Sequence, residues 1–324
     1  NSNMLQYITR RILLIIPTIV GVSLVLFFIF AMAPGDAITA NMDPNMSVET
    51  KQAIREKYHL DEPKTTQYMY WLKGVVTEGS LGESFYYKRP VSEVMKDFIP
   101  NSFILGAASL ILGLIIAVPI GIVSATKQYS FFDKFFTVFA LMGISMPSFF
   151  FGLILIKYLG VQLNLFPISG MTTPGSAYTG MQYVLDVLKH MILPLIVLTL
   201  GSVGGWMRYT RSSMLEVVRQ DYIRTARAKG LKEKVVIYKH ALRNALIPVV
   251  TLLGMSIPGL FSGATLTEKI FNWPGIGPVQ LSAVNNRDYY LLMGINLTLA
   301  ILVLIGNLLA DIIYALVDPR IRLK

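Results

Sequence analysis

The chain contains no cysteine, which excludes disulfides, zinc-thiolate centres and a thiol nucleophile while leaving the redox compartment open. Charge is scarce: Asp, Glu, Lys and Arg make up 15% of the residues, against roughly a quarter in an average soluble domain. Histidine is rarer still. His59, His190 and His240 stand at no metal-ligand spacing, and neither H-E-x-x-H nor G-x-S-x-G occurs, so hydrolytic and metal-assisted catalysis lack a visible acid, base or nucleophile. The three are read as interfacial or loop residues. The G-x-x-x-x-G-K-[ST] phosphate loop is missing too, so ATP is not bound in that way by this chain.

What is abundant is apolar surface, at 53% of residues. A bilayer core about 30 Å thick needs about 20 consecutive apolar helical residues. Six stretches free of charged side chains meet that need: 12–32, 101–126, 135–156, 191–207, 244–267 and 289–310. The expected fold is therefore an all-α integral membrane protein with six transmembrane helices. The absence of charge inside these stretches argues against a proton- or ion-coupled carrier, whose relay groups lie within the bilayer. Without a phosphate loop or an intramembrane relay, the energy for any transport must come from a partner carrying an ATPase.

The net charge of +10 is concentrated in one place. Residues 208–243 carry ten basic side chains against three acidic ones, whereas 33–100 carry eight basic and ten acidic, and 267–288 are balanced. By the positive-inside rule, 208–243 and both termini are cytoplasmic, while 33–100 and 267–288 are external. This division reads as a cytoplasmic start and first helix (1–32), an external segment (33–100), a five-helix core with the basic loop (101–310) and a cytoplasmic tail (311–324). Ala31-Met32-Ala33 has the form of a signal-peptidase site, but its apolar run is too long for a signal core and Pro34 follows. The first span is read as retained.

Within the external segment, Ser47 is placed to cap one helix. A second is expected over 65–76, with Tyr68, Tyr70 and Trp71 lying at the membrane interface. Pro17, Pro119, Pro147, Pro194, Pro248 and Pro258 fall within the first five spans; each removes a backbone hydrogen bond and bends its helix. Five kinked spans suit a bundle that changes shape.

The basic loop is the most informative segment. From Met214, the apolar Leu215, Val218, Tyr222, Ile223 and Ala226 recur at helical spacing among Arg219, Arg224, Arg227 and Lys229. Gly230 breaks that helix. A second pattern puts Leu231, Val235, Tyr238, Leu242 and Leu246 on one face and leads into the fifth span. As a basic amphipathic segment, this fits lipid headgroups, nucleic acid or a calmodulin-like partner.

The residues themselves narrow the choice. Asp221-Tyr-Ile-Arg-Thr-Ala-Arg-Ala-Lys-Gly230-Leu, followed by His240-Ala-Leu-Arg-Asn-Ala-Leu-Ile-Pro248, closely resembles the cytoplasmic loop of ABC importer permeases of the oligopeptide/dipeptide (nickel, opine) class, B-type subunit. Shorter matches extend along nearly the whole chain: Arg10-Arg11 with Ile15-Ile16-Pro17, Ala33-Pro34-Gly35-Asp36, Phe166-Pro167, Glu268-Lys-Ile-Phe-Asn-Trp-Pro-Gly-Ile-Gly277, Asn286-Arg287-Asp288-Tyr289 and Asp318-Pro319-Arg320. The Glu-Ala-Ala of the broader importer loop is replaced by Arg224, Thr225 and Ala226, and 18 residues separate Gly230 from Pro248. Both features are usual in the peptide, nickel and opine branch. Where that branch often has proline, this chain has Tyr290.

The resemblance implies a type I ABC importer permease fold in a bacterial plasma membrane. It also implies a second homologous permease subunit, two ATPase subunits that hold the ATP and Mg, and an extracytoplasmic peptide-binding protein. No cofactor, enzymatic activity or nucleic-acid partner is expected of this chain. The implied docking and coupling residues are Arg224, Thr225, Ala226, Arg227, Ala228, Gly230, Leu231, His240, Asn244 and Pro248. In that reading small Ala226 permits close approach, Gly230 allows the turn, Leu231 offers an apolar knob and Arg227 pairs with an acidic group on the partner. Substrate-lining residues are not assigned. A nickel or opine permease and a self-contained six-helix channel stand as alternatives.

Overall fold

The computed structural model describes residues 2–33 and 43–317. The Ala33-Pro34-Gly35-Asp36 turn therefore lies almost wholly outside the described residues, and the Asp318-Pro319-Arg320 ending entirely so. Helix α1 (Ser2–Ala31) is apolar along most of its length yet buries only Ser23 and Phe27. One side packs Ile19, Leu26 and Phe30 against the cluster around Phe27, and the exposed apolar side is left to the lipid, as suits a peripheral helix that satisfies its own backbone. The external segment then forms α2 (Val48–Lys57), capped by Ser47 Oγ accepting from the Thr50 N–H at 3.2 Å, and α3 (Lys64–Glu78).

Both external helices were expected, but two of the three aromatic rings are placed differently. Tyr68 and Trp71 are buried with Phe27, Met293 and Leu297 instead of spreading at the membrane interface. The Tyr68 hydroxyl lies 2.8 Å from Ser23 Oγ, and Trp71 Nε1 donates to the Leu81 carbonyl at 3.0 Å. The rings thus fix the external segment to the bundle. Tyr70 stays exposed and stacks on His59, centroids 3.9 Å apart.

Helix α4 (Val91–Thr126) starts ten residues before the expected span. The third span is not continuous: α5 (Phe131–Ser145) and α6 (Ser148–Leu155), which runs on as a π-helical segment Ile156–Gln162, meet at 98°. Pro147 is the cause. It disfavours helical geometry in the residue before it, and Met146 is extended at φ −78°, ψ 124°. Helix α7 (Met181–Val218) overshoots the expected 191–207 at both ends, because the charge-free criterion stopped at Lys189 and Arg208 while the helix did not.

After α7 come α8 (Asp221–Ala228), the short α9 (Glu233–Val235), a π-helical turn Val236–Ala241 and α10 (Leu242–Ser256), which ends in a 3₁₀ turn Pro258–Phe261. Helices α11 (Thr265–Ile270) and α12 (Ile276–Asn285) precede the last span, α13 (Tyr289–Val317). With the bent α5–α6 pair taken as one, six spans are long and apolar enough to cross a membrane. The most extensive contact runs between α4 and α7. Small residues make it close: a Cβ on Gly121 would sit 2.8 Å from the Met207 carbonyl, and one on Gly113 2.8 Å from Ser202 Oγ. Between apolar helices in lipid, van der Waals packing of this kind substitutes for the hydrophobic effect.

Candidate docking surface

The basic loop stands on an apolar base of its own. Ile122 and Ala125 from the end of α4, Met214 from α7, Ile223 and Ala226 from α8, and Val236, Ala241 and Ala245 beyond it form one buried cluster. The sequence pattern suggested a helix running unbroken from Met214, but α7 stops at Val218 and α8 restarts after Gln220, whose backbone is extended at φ −74°, ψ 153°. This break lets α8 fold back, with Ile223 and Ala226 turned inward. The second expected face is also replaced. Tyr238 and Leu231 are exposed, while Val236, Ala241, Ala245 and Val249 are buried. Their first spacing is five residues, matching the wide π-helical turn, which rotates the buried stripe relative to a regular helix.

The docking candidates therefore divide. Arg224, Thr225, Arg227, Ala228, Gly230 and Leu231 are exposed and share one ridge along α8 and the turn after it. Ala226 is 5% exposed and packs inward, so its small size serves the loop's own packing. Arg227 already has an acidic partner within the chain, with Nη2 donating to Glu233 Oε1 at 2.9 Å across the Gly230 turn. Gly230 has φ +76°, with open space where a side chain would begin, so it is glycine for backbone conformation. His240, Asn244 and Pro248 lie behind the ridge, half-buried in the helix entering the membrane. Asn244 Nδ2 donates to the His240 carbonyl at 2.8 Å, and Pro248 offers no N–H to the carbonyl of Asn244.

Three acidic residues have roles the sequence reading did not assign, since pattern alone does not reveal their partners. Asp133, in the first turn of α5, takes a two-pronged bond from Arg211 of α7. On the opposite side of the bundle Glu268 is 1% exposed. Its Oε1 accepts from Ser102 Oγ at 2.7 Å and its Oε2 from the Gly277 N–H at 3.1 Å. Ser102 Oγ in turn accepts from the Ile276 N–H at 2.8 Å. Burial pushes the Glu268 carboxyl above its usual range, against the opposing pull of these hydrogen bonds. Asp288 is fully buried and accepts from Ser84 Oγ and from the Phe85 and Tyr86 N–H groups, joining the external segment to the start of α13. Beside it Tyr290, standing where proline is often found, stacks on Phe85 at 5.4 Å. The crowding of Gly263, Gly275 and Gly277 around Glu268 was the one available signal: several glycines close in sequence to a single carboxylate.

His190 is not a loop residue either. It is 5% exposed within α7, its Nδ1 2.8 Å from the Asp186 carbonyl oxygen. Asp186 is held by the Thr173 N–H and hydroxyl, both at 2.7 Å.

The sequence pattern of the binding-protein-dependent transport system inner membrane component family matches residues 117–323, and the N-terminal pattern of the same kind of component matches 4–106. The chain belongs to this inner membrane component family. Among similar proteins, the oligopeptide transport system permease protein AppB of Bacillus subtilis (strain 168) is 44% identical over 320 residues, covering 98% of this chain and all of that one. The dipeptide transport system permease protein DppB of Escherichia coli (strain K12) is 40% identical over 342 residues, covering 99% of this chain and all of that one. A solved chain of the inward-facing MetNI methionine ABC transporter superposes with a TM-score of 0.52 at 15% identity, covering 70% of this chain and 97% of that one. The type I ABC importer permease fold of the inner membrane component family is thus present here.

Proposed function

We propose that this chain is one membrane-spanning subunit of an ATP-driven importer of oligopeptides or dipeptides, coupled through the ridge on residues 224–231 to ATPase subunits. The observation that carries this is the ridge itself: six exposed docking candidates on a short helix and the turn after it, with the helix's inner face fixed to the ends of α4 and α7. A lipid-adsorbed helix would turn its apolar face outward to the bilayer, whereas Ile223 and Ala226 are spent on internal packing. The names of the two relatives support peptides over nickel or opines. The basic loop and both termini are cytoplasmic in this reading, and residues 43–90 are external.

Two ATPase subunits dock below and hold the ATP and Mg. A second, homologous permease completes the pathway, and an external binding protein delivers the peptide. ATP favours one arrangement of the ATPases, the ridge moves with them, and the cavity between the permeases changes the side to which it opens; the driving energy is the differential affinity of ATP for the two arrangements. The chain alone has no ATPase activity. Its test is purification of the tagged chain from its own membrane. ATPase subunits are expected to accompany it, and ATP-driven peptide uptake is expected only in vesicles containing them. A chain that carries peptide by itself, without ATP, would establish the six-helix channel instead.

A further inference from the structure

The base of the docking ridge and the broken third span are joined by one ion pair, between a buried carboxylate and a partly exposed guanidinium. Asp133 is 2% exposed in the first turn of α5. Arg211 lies on α7, less than one turn before Met214. Arg211 Nε donates to Asp133 Oδ1 at 2.8 Å and Nη2 donates to Oδ2 at 2.9 Å, a planar fork that fixes both the separation and the orientation of the two helices. The same Oδ2 accepts from the Tyr129 N–H at 2.9 Å, which closes the turn after α4. One carboxylate thus holds three elements together.

The linkage continues in both directions. Toward the ridge, Met214 is fully buried against Ile223, Ala226 and Val236, so a displacement of α8 is felt within one turn of Arg211. Toward the membrane, α5 lies directly on α7 at Gly204, where a Cβ would sit 2.9 Å from the Ala140 carbonyl. Helix α5 then ends at the 98° bend, beside an apolar hollow of about 160 Å³ lined in part by Phe139, Met142 and Val197. Beyond the bend, α6 rests Gly152 on Phe271, 3.3 Å from where its Cβ would be. Nothing else among the described contacts ties the start of α5 to α7 through charged groups.

We infer that Arg211 and Asp133 are positioning residues for transport: their fork converts displacement of the docking ridge into movement of α5 and of the bend at Met146-Pro147. This rests on the reading of 224–231 as the ATPase contact. A single charge on a flexible stem, such as lysine, would keep the attraction but lose the orientation.

The test uses the assembled importer with its ATPases and binding protein, comparing wild type, Arg211→Met and Arg211→Lys for ATPase retention, ATP hydrolysis and peptide uptake. Arg211→Met is expected to keep its ATPases and to hydrolyse ATP within about twofold of wild type, while uptake per ATP falls about tenfold or more; Arg211→Lys is expected to recover part of that ratio. Unchanged uptake per ATP in Arg211→Met, or uptake and hydrolysis falling in parallel in complexes that retain both ATPases, would overturn the inference. Should Arg211→Met fail to assemble because Asp133 is left buried and unpaired, Arg211→Lys decides, since it keeps the charge: a wild-type ratio there overturns the linkage. The wild-type control separates the two claims. Wild type without bound ATPases or ATP-driven uptake refutes the docking reading, whereas a coupled wild type beside a normal variant refutes only the linkage.

Discussion

Gly230 and Gly275 lie toward opposite ends of the bundle and are glycine for opposite reasons. Gly230 adopts φ +76° in open space, whereas Gly275 has an ordinary φ of −98° and no room, because a Cβ there would overlap the Glu268 carboxylate and lie 2.5 Å from Ser102 Oγ. Ser102 and Ile122, which anchor the two regions on α4, are 20 residues apart, about 30 Å of helix. At the Gly275 end, buried carboxylates clamp α11, α12 and the external segment onto the bundle. At the Gly230 end an exposed turn is held by one surface ion pair over an alanine-rich base. One end is closed upon itself; the other leaves polar and apolar groups for a second surface. Substitutions should therefore affect stability at the first end and coupling at the second.

The largest loss of stability is expected for Glu268→Ala, which strips acceptors from the Ser102 hydroxyl and the Gly277 N–H. Leaving buried donors unpaired should cost about 3 kcal/mol, read as a lower thermal midpoint of the detergent-solubilised chain. Gly275→Ala follows at about 2 kcal/mol, by overpacking. An unchanged midpoint in either would mean that the clamp does not hold the fold together.

The pH dependence of the clamp sharpens the same contrast. Because burial raises Glu268 above its ordinary value of 4.5, the folded chain holds that proton more tightly than the unfolded one. The stability contributed is full below the ordinary value and is lost as pH rises through the raised value. The midpoint of wild type should thus fall relative to Glu268→Gln over that rise, and parallel curves would contradict the assignment.

At the other end, Gly230→Trp should insert normally and lose about 1–2 kcal/mol through its left-handed backbone, yet abolish uptake. Normal uptake by a well-expressed variant would remove this turn from the coupling path. Smallest of all is Arg227→Ala, expected to shift stability by less than about 1 kcal/mol, since its pair with Glu233 is solvent-exposed. The orientation of the two ends is checked by single cysteines in this cysteine-free chain. Ser212 is exposed, whereas Ser213 is buried, so an impermeant reagent on whole cells should label Thr65→Cys and spare Ser212→Cys.

Much of this organisation was legible in the residues. Apolar length located the spans, loop charge singled out 208–243, and Ser47 marked its helix. Pro147 marked the bend in the third span, but the apolar run 135–156 hid its size, because hydropathy does not distinguish a kinked helix from one broken at 98°. The buried stripe of 236–249 was misassigned because a π-helical turn violates the regular spacing from which faces are read. Asp133 with Arg211, and Ser84 with Asp288, were invisible for a simpler reason: 78 and 204 residues separate the partners, and no local pattern encodes such pairs. Glu268 was counted as a loop charge because burial follows from the tertiary fold.

Proximity tests most directly whether the ridge is an ATPase contact. With Leu231→Cys as the single thiol, 39% exposed at the ridge, a short thiol-to-amine cross-linker is applied to native membranes and the adduct is identified by mass. The expected product joins this chain to an ATPase subunit, in a yield that changes when ATP is added, while Thr65→Cys gives none. An adduct of Leu231→Cys only with lipid or with itself, in membranes where ATP-driven uptake is intact, would contradict it.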